Sequence, residues 1–224
     1  MSSNCRSIGC SSVVRKQVVA LSGMALCGFM LTHMLENMLI LVGAEIYNRY
    51  THFLTSNPLI PAAEVGLALL FVVHILMAIV VTAENRSARS KEATLKPNGE
   101  KDARFGSRSM ILSGLLVLAF LVLHLITFRF GDYYRVSYGG VEMRDLYRLV
   151  IEKFNDPLYT AWYVFALLVL GVHLSHGASA FVQTLGLGSV RNAQLRRAGW
   201  IFAFVVAVGF ISQPLYAILI VGGR

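Results

Sequence analysis

Hydrophobic residues in this chain come in long runs instead of alternating or repeating at short period. Five stretches, residues 17–42, 61–83, 109–128, 158–185 and 198–221, are almost wholly apolar. About 20 such residues make a helix long enough to cross the hydrocarbon of a bilayer. Each run therefore predicts a transmembrane helix, and the polar segments between them predict loops. The fold class that follows is an all-α membrane protein with five transmembrane helices in a single domain. Residues 143–154, inside the longest loop on one side, are also spaced to form a short surface helix. Pro214, inside the fifth run, predicts a kink. No longer internal repeat stands out.

Composition agrees with this reading. The 224 residues are 56% hydrophobic and only 14% charged, against about 25% charged in soluble domains. The net charge of +8 has a topological cause, so it does not indicate a nucleic-acid partner. Thirteen Lys and Arg residues fall in the N-terminal tail, the second-to-third loop and the fourth-to-fifth loop, and seven fall on the other side. Seven of the thirteen crowd one loop: Arg86, Arg89, Lys91, Lys96, Lys101, Arg104 and Arg108. The excess predicts a cytoplasmic N-terminus and an external C-terminus. Trp162, Trp200 and the cluster Tyr133, Tyr134, Tyr138, Tyr147 and Tyr159 fall where interfacial aromatic belts are expected. The first run is longer than a signal-peptide core and has no cleavage site after it, so it is read as a retained helix. Cys5, Cys10 and Cys27 form no C-x-x-C-H, which argues against covalent c-type haem attachment.

The first four runs each contain a histidine: His33, His74, His124 and His173. An ionisable group in hydrocarbon is costly and points to function. With alternating helix direction, His33 and His124 fall in the outer half and His74 and His173 in the inner half. The two levels are predicted on the order of 10 Å apart. Imidazoles facing each other from two helices can hold a haem iron on both axial sides. The first four helices would then form a haem-binding four-helix bundle. His33 and His124 would be the ligands of an outer haem b, and His74 and His173 those of an inner one. Bis-histidine ligation leaves no open position for oxygen, so such sites carry electrons. His176 shares a helix face with His173, and depth alone does not choose between them as ligand.

The spacing around these histidines resembles one family over nearly the whole chain. His33 through Asn37, then Gly43-Ala44-Glu45-Ile46-Tyr47-Asn48 and His52-Phe53, is similar to that family's first ligand segment. Ala63-Glu64 before His74, Ser113-Gly114 before His124, and His173-Leu174-Ser175-His176-Gly177 before Phe181 match its next three. The family is the five-helix, di-haem cytochrome b subunit of succinate:quinone oxidoreductases, which comprise succinate dehydrogenases and fumarate reductases. The resemblance implies the same pairing as depth does, and it favours His173 over His176. It also implies a membrane anchor in a bacterial cytoplasmic membrane that passes electrons between a quinone, menaquinone by this resemblance, and an iron–sulfur subunit docked on the cytoplasmic face. A flavoprotein subunit with FAD would carry the succinate/fumarate chemistry.

The chain also departs from that family. Gly171 stands where some fumarate reductases have a glutamate of a proposed proton path, and Thr55 stands near the position of a quinone-site glutamate. Three other residues are candidates for quinone proton exchange: Glu36, one turn after His33; Glu64, at the start of the second span; and His52, in the preceding loop. A general base must reach the quinol hydroxyl directly or through one water. Rival readings are a b-type subunit of a hydrogenase or formate dehydrogenase, a transporter with histidine relays, and a haem-free structural anchor.

Overall fold

The computed structural model describes residues 12–93, 101–184, 186 and 193–221. Cys5, Cys10, Arg6, Lys96, Leu185, Arg191 and Arg224 lie outside the described residues. The described chain contains seven α-helices and one small hairpin: α1 (Ser12–Asn37), α2 (Ala44–Thr55), α3 (Ile60–Ala93), α4 (Lys101–His124), strands β1 (Arg135–Tyr138) and β2 (Val141–Arg144), α5 (Leu146–Phe154), α6 (Pro157–Thr184) and α7 (Ala193–Tyr216), with a 3₁₀ turn at Met38–Leu41 and π turns at Leu125–Arg129 and Ala217–Val221. Five segments are long and apolar enough to cross a membrane: Ser12–Leu41, Ile60–Ala88, Ser109–Arg129, Pro157–Ala178 and Ala193–Leu219. The protein is an all-α, multi-pass membrane protein.

Packing is uneven around the bundle. α6 lies most closely along α7, and α1 packs on α3, α6 and α7, whereas α3 and α4 barely touch. None of the apolar window of α3 is buried, against 44% of that of α6. The fifth span is thus part of the core. The buried stripe of α6 (Tyr163, Ala166, Leu167, Leu170, Leu174) meets Ala203, Val206, Ala207 and Phe210 of α7. Lipid is as apolar as these side chains, so close backbone approach through small residues holds such helices together. Gly171 shows this directly: a Cβ there would stand 3.2 Å from the Cβ of Ala207. A larger side chain at that position would point at α7 and require it to give way. At Gly209 an added Cβ would collide with Met34 of α1.

The loops are more ordered than the hydropathy pattern suggests. His52, read as a loop residue, lies on α2, an amphipathic helix opened by Gly43 at φ 145° and carrying a Glu45–Arg49 pair at 2.8 Å. Glycine alone reaches that φ without strain, which lets the chain leave the 3₁₀ turn Met38–Leu41 and start a helix in a new direction. The surface helix expected over 143–154 starts later, at Leu146, because Met143 and Arg144 belong to β2. The hairpin turns at Gly139-Gly140, both at positive φ (61° and 81°), as a tight right-twisted hairpin requires. The basic second-to-third loop is largely helical too. α3 continues to Ala93 and α4 begins at Lys101, because Ala, Glu, Lys and Arg are good helix formers once the chain leaves the apolar zone. Pro214 is accommodated within α7, and a π turn, Ala217–Val221, follows it.

The hairpin, α2 and α5 form a cap over one end of the bundle, joined by a buried polar latch. Asn48, fully buried, donates from Nδ2 to Asp145 Oδ1 at 2.8 Å and accepts the Tyr147 backbone N–H at 2.9 Å. Asp145 also caps the N-terminus of α5, accepting the Arg148 N–H at 3.0 Å. Asp156, before Pro157, accepts the N–H of Leu158 at 2.8 Å and begins α6.

Candidate site: two histidine pairs in the membrane-spanning helices

His33 and His124 come together near the capped end. Their rings meet edge to face with centroids 5.9 Å apart. Phe29 stacks on His33 at 5.2 Å, and Phe210 of α7 leans on it at 5.7 Å. Phe120 and Phe128 flank His124 at 5.9 and 5.4 Å. Each imidazole has a polar partner at Nδ1. The Tyr163 hydroxyl lies 2.6 Å from Nδ1 of His124. Asn37 Nδ2 lies 3.3 Å from Nδ1 of His33 and donates to the His33 carbonyl at 2.8 Å. Tyr47 orients that amide by donating its hydroxyl to Asn37 Oδ1 at 2.9 Å. Tyr47 is buried in the cap, and its phenol is held well above the ordinary tyrosine range, first by burial and then by the charge of Glu36, with Arg144 opposing.

His74 and His173 lie at the other end, each against a serine of a neighbouring helix. His74 Nδ1 is 3.0 Å from the hydroxyl of Ser22 on α1, and His173 Nδ1 is 3.0 Å from that of Ser113 on α4. Along α1, Ser22 precedes His33 by eleven residues, as Ser113 precedes His124 along α4. At 1.5 Å per residue this separates the two levels by about 16 Å of helix axis, more than the 10 Å expected from span depth.

The remaining candidates do not converge. His176 is exposed on α6, while His173 is turned to Ser113. Glu36 is half-buried beside Tyr47. Glu64 is engaged on the surface by Arg129, with contacts of 3.0 and 3.1 Å. His52 lines a shallow cleft of about 520 Å³ with Arg49, Phe53, Ser56, Asn57 and Met143. Neither that cleft nor a second of about 540 Å³ beside Tyr159 and Asp156 borders any of the four paired histidines.

Sequence reasoning missed the residues that hold the imidazoles: Ser22, Ser113, Tyr163, Asn37 and Tyr47. One signal was available for the serines, the repeated Ser-Gly followed by His at the same eleven-residue spacing. Asn37 stands one turn after His33 on the same helix, whereas Tyr163 and Tyr47 reach their partners from other helices, where nothing local marks them.

No family model, no curated protein and no solved structure matches this chain. The chemistry of the site therefore rests on its donors. Among the described residues no three of His, Cys, Asp and Glu gather to hold a bare metal ion. Two imidazoles per level suit an ion whose other positions a macrocycle fills. His33 and His124, with ring centroids 5.9 Å apart, are the residues that would hold such a group at one level.

Proposed function

We propose that this chain is the membrane anchor of a succinate:quinone oxidoreductase. Two haem b groups would be held by His33 with His124 and by His74 with His173. When bound, each haem supplies a reversible one-electron change at iron between a membrane quinone and a soluble iron–sulfur partner. The observation that carries this reading is the arrangement of four intramembrane histidines at two levels, each bonded at Nδ1 to a polar side chain. At His74 and His173 the partner is a serine oxygen that can accept from Nδ1–H, as metal-binding histidines are commonly held, and Nε2 is then the nitrogen available to iron.

The chain's own residues do the rest of the work. Phe29, Phe120, Phe128 and Phe210 pack against the rings of the outer pair. Tyr163 and Asn37 orient those rings. The cytoplasmic ends of α3 and α4, rich in Lys and Arg, would meet the iron–sulfur subunit, with the flavoprotein beyond it. The location proposed is a bacterial cytoplasmic membrane, N-terminus inside. Menaquinone is the quinone proposed, and Glu36, near the outer pair, is the better placed of the proton-exchange candidates because Glu64 is tied to Arg129. The decisive experiment is a reduced-minus-oxidised spectrum with haem quantitation on the purified chain. Two b haems per chain are expected. A colourless protein would refute the proposal and leave a histidine-relay transporter or a haem-free anchor. Co-purification with hydrogenase or formate dehydrogenase chains, instead of a flavoprotein and an iron–sulfur protein, would refute the assignment of the complex.

A further inference from the structure

We infer that Ser22 and Ser113 are a matched pair of positioning residues that set the tautomer of His74 and His173 and thereby present Nε2 of each as the ligating atom. The role toward iron rests on the haem reading above; the hydrogen-bond argument does not.

A serine hydroxyl has one proton to give and lone pairs to accept with. The Ser22 hydroxyl lies 2.7 Å from the Val18 carbonyl and 3.1 Å from that of Val19. Carbonyl oxygens only accept, so the hydroxyl proton is committed within α1. What faces His74 Nδ1 at 3.0 Å is then a lone pair, and the contact is a hydrogen bond only if Nδ1 carries the proton. Ser113 repeats the arrangement: it donates to the Met110 carbonyl at 3.1 Å and faces His173 Nδ1 at 3.0 Å. A neutral imidazole has a single N–H, so in both rings Nε2 keeps its lone pair. Both serines are nearly buried, at 5% and 7% exposure, so water does not compete for the bond.

The residue after each serine completes the seat. A Cβ at Gly23 would stand 3.2 Å from Cε1 of His74, and one at Gly114 3.5 Å from Cε1 of His173. Cε1 lies between the two ring nitrogens, so each ring edge rests over a glycine while its Nδ1 is held by the preceding serine. α1 and α4 thus each serve both levels: a ligand for one pair, and a serine–glycine seat for a ligand of the other. By contrast, Tyr163 has no carbonyl to take its proton among the described residues, so the bond to His124 does not set that ring's tautomer.

The test uses the full chain and has two arms. In protein produced without haem, ¹⁵N shifts of labelled histidine are expected to show His74 protonated at Nδ1 in the wild type. The signal should become a tautomer mixture in Ser22→Ala and be restored in Ser22→Thr, whose hydroxyl can donate and accept alike. An Nε2-protonated His74 in the wild type overturns the proposal. In haem-loaded protein, losing the acceptor makes the imidazole a weaker donor to ferric iron. The reduced-to-oxidised ratio of one haem at fixed potential should then rise about tenfold in Ser22→Ala and in Ser113→Ala. The other haem should be unchanged, and Ser22→Thr should behave as wild type. No change, or an equal shift in both haems, overturns it. A wild-type chain that binds no haem refutes the proposed function instead, and the first arm still decides the serine–histidine bond.

Discussion

The two histidine pairs are built from the same ring but held in different ways. Around His33 and His124 the imidazoles are wedged among aromatic rings, and the polar partner of His33 leads away from the bundle: Asn37 to Tyr47 and so into the cap. Around His74 and His173 the partners are two serines whose protons are already used within their own helices. The first pair is coupled to the fold of an extramembrane cap, and the second depends only on how α1 meets α3 and α4 meets α6. A disturbance in the cap should therefore reach one pair and spare the other.

The strongest way to break the comparison is to remove a ring. His124→Ala and His33→Ala should each abolish the same haem, and His74→Ala and His173→Ala the other, as read by haem content and by the two steps of a redox titration. Loss of the same haem from His33→Ala and His74→Ala would dissolve the pairing. Next in size is the latch. Asn48→Ala removes two hydrogen bonds from a fully buried site and leaves Asp145 with one partner fewer. A loss of about 2 kcal/mol in stability is expected, seen as a lower thermal midpoint in detergent, and any spectral change should be confined to the outer haem. A change at the inner haem instead would show that the cap does not act locally. Smallest is Tyr163→Phe, which keeps the ring packed between Phe120 and Phe154 (4.7 and 4.8 Å) but deletes the hydroxyl facing His124. About 1 kcal/mol of stability should be lost, with the outer haem shifted and the inner one unmoved in the same titration.

How much of this was legible depends on the range of the interaction. Span ends agree with the hydropathy runs to within a few residues at most positions, because the cost of exposing polar groups to hydrocarbon acts on each residue separately. The four histidines were legible for the same reason. The hairpin at Gly139-Gly140 has a local signature, with Val136, Tyr138, Val141 and Met143 spaced around the turn. Only its last two residues, Met143 and Arg144, fall within the helix expected over 143–154, and the rest lies in the segment expected as loop. Asn48 carried no signature, because its two partners lie 97 and 99 residues away.

The sequence by itself determined that this is a multi-pass helical membrane protein with one histidine in each of four spans. Period and hydrophobicity are sums over neighbours in the chain, so no folding is needed to read them. Only the tertiary structure decided which atom of each imidazole has a polar partner, how closely position 171 approaches α7, and that the fifth span belongs to the core. Those are matters of a few ångströms between helices far apart in sequence. Hydrogen bonds and close packing decide them, and both fall off too steeply with distance to leave a trace in composition or spacing.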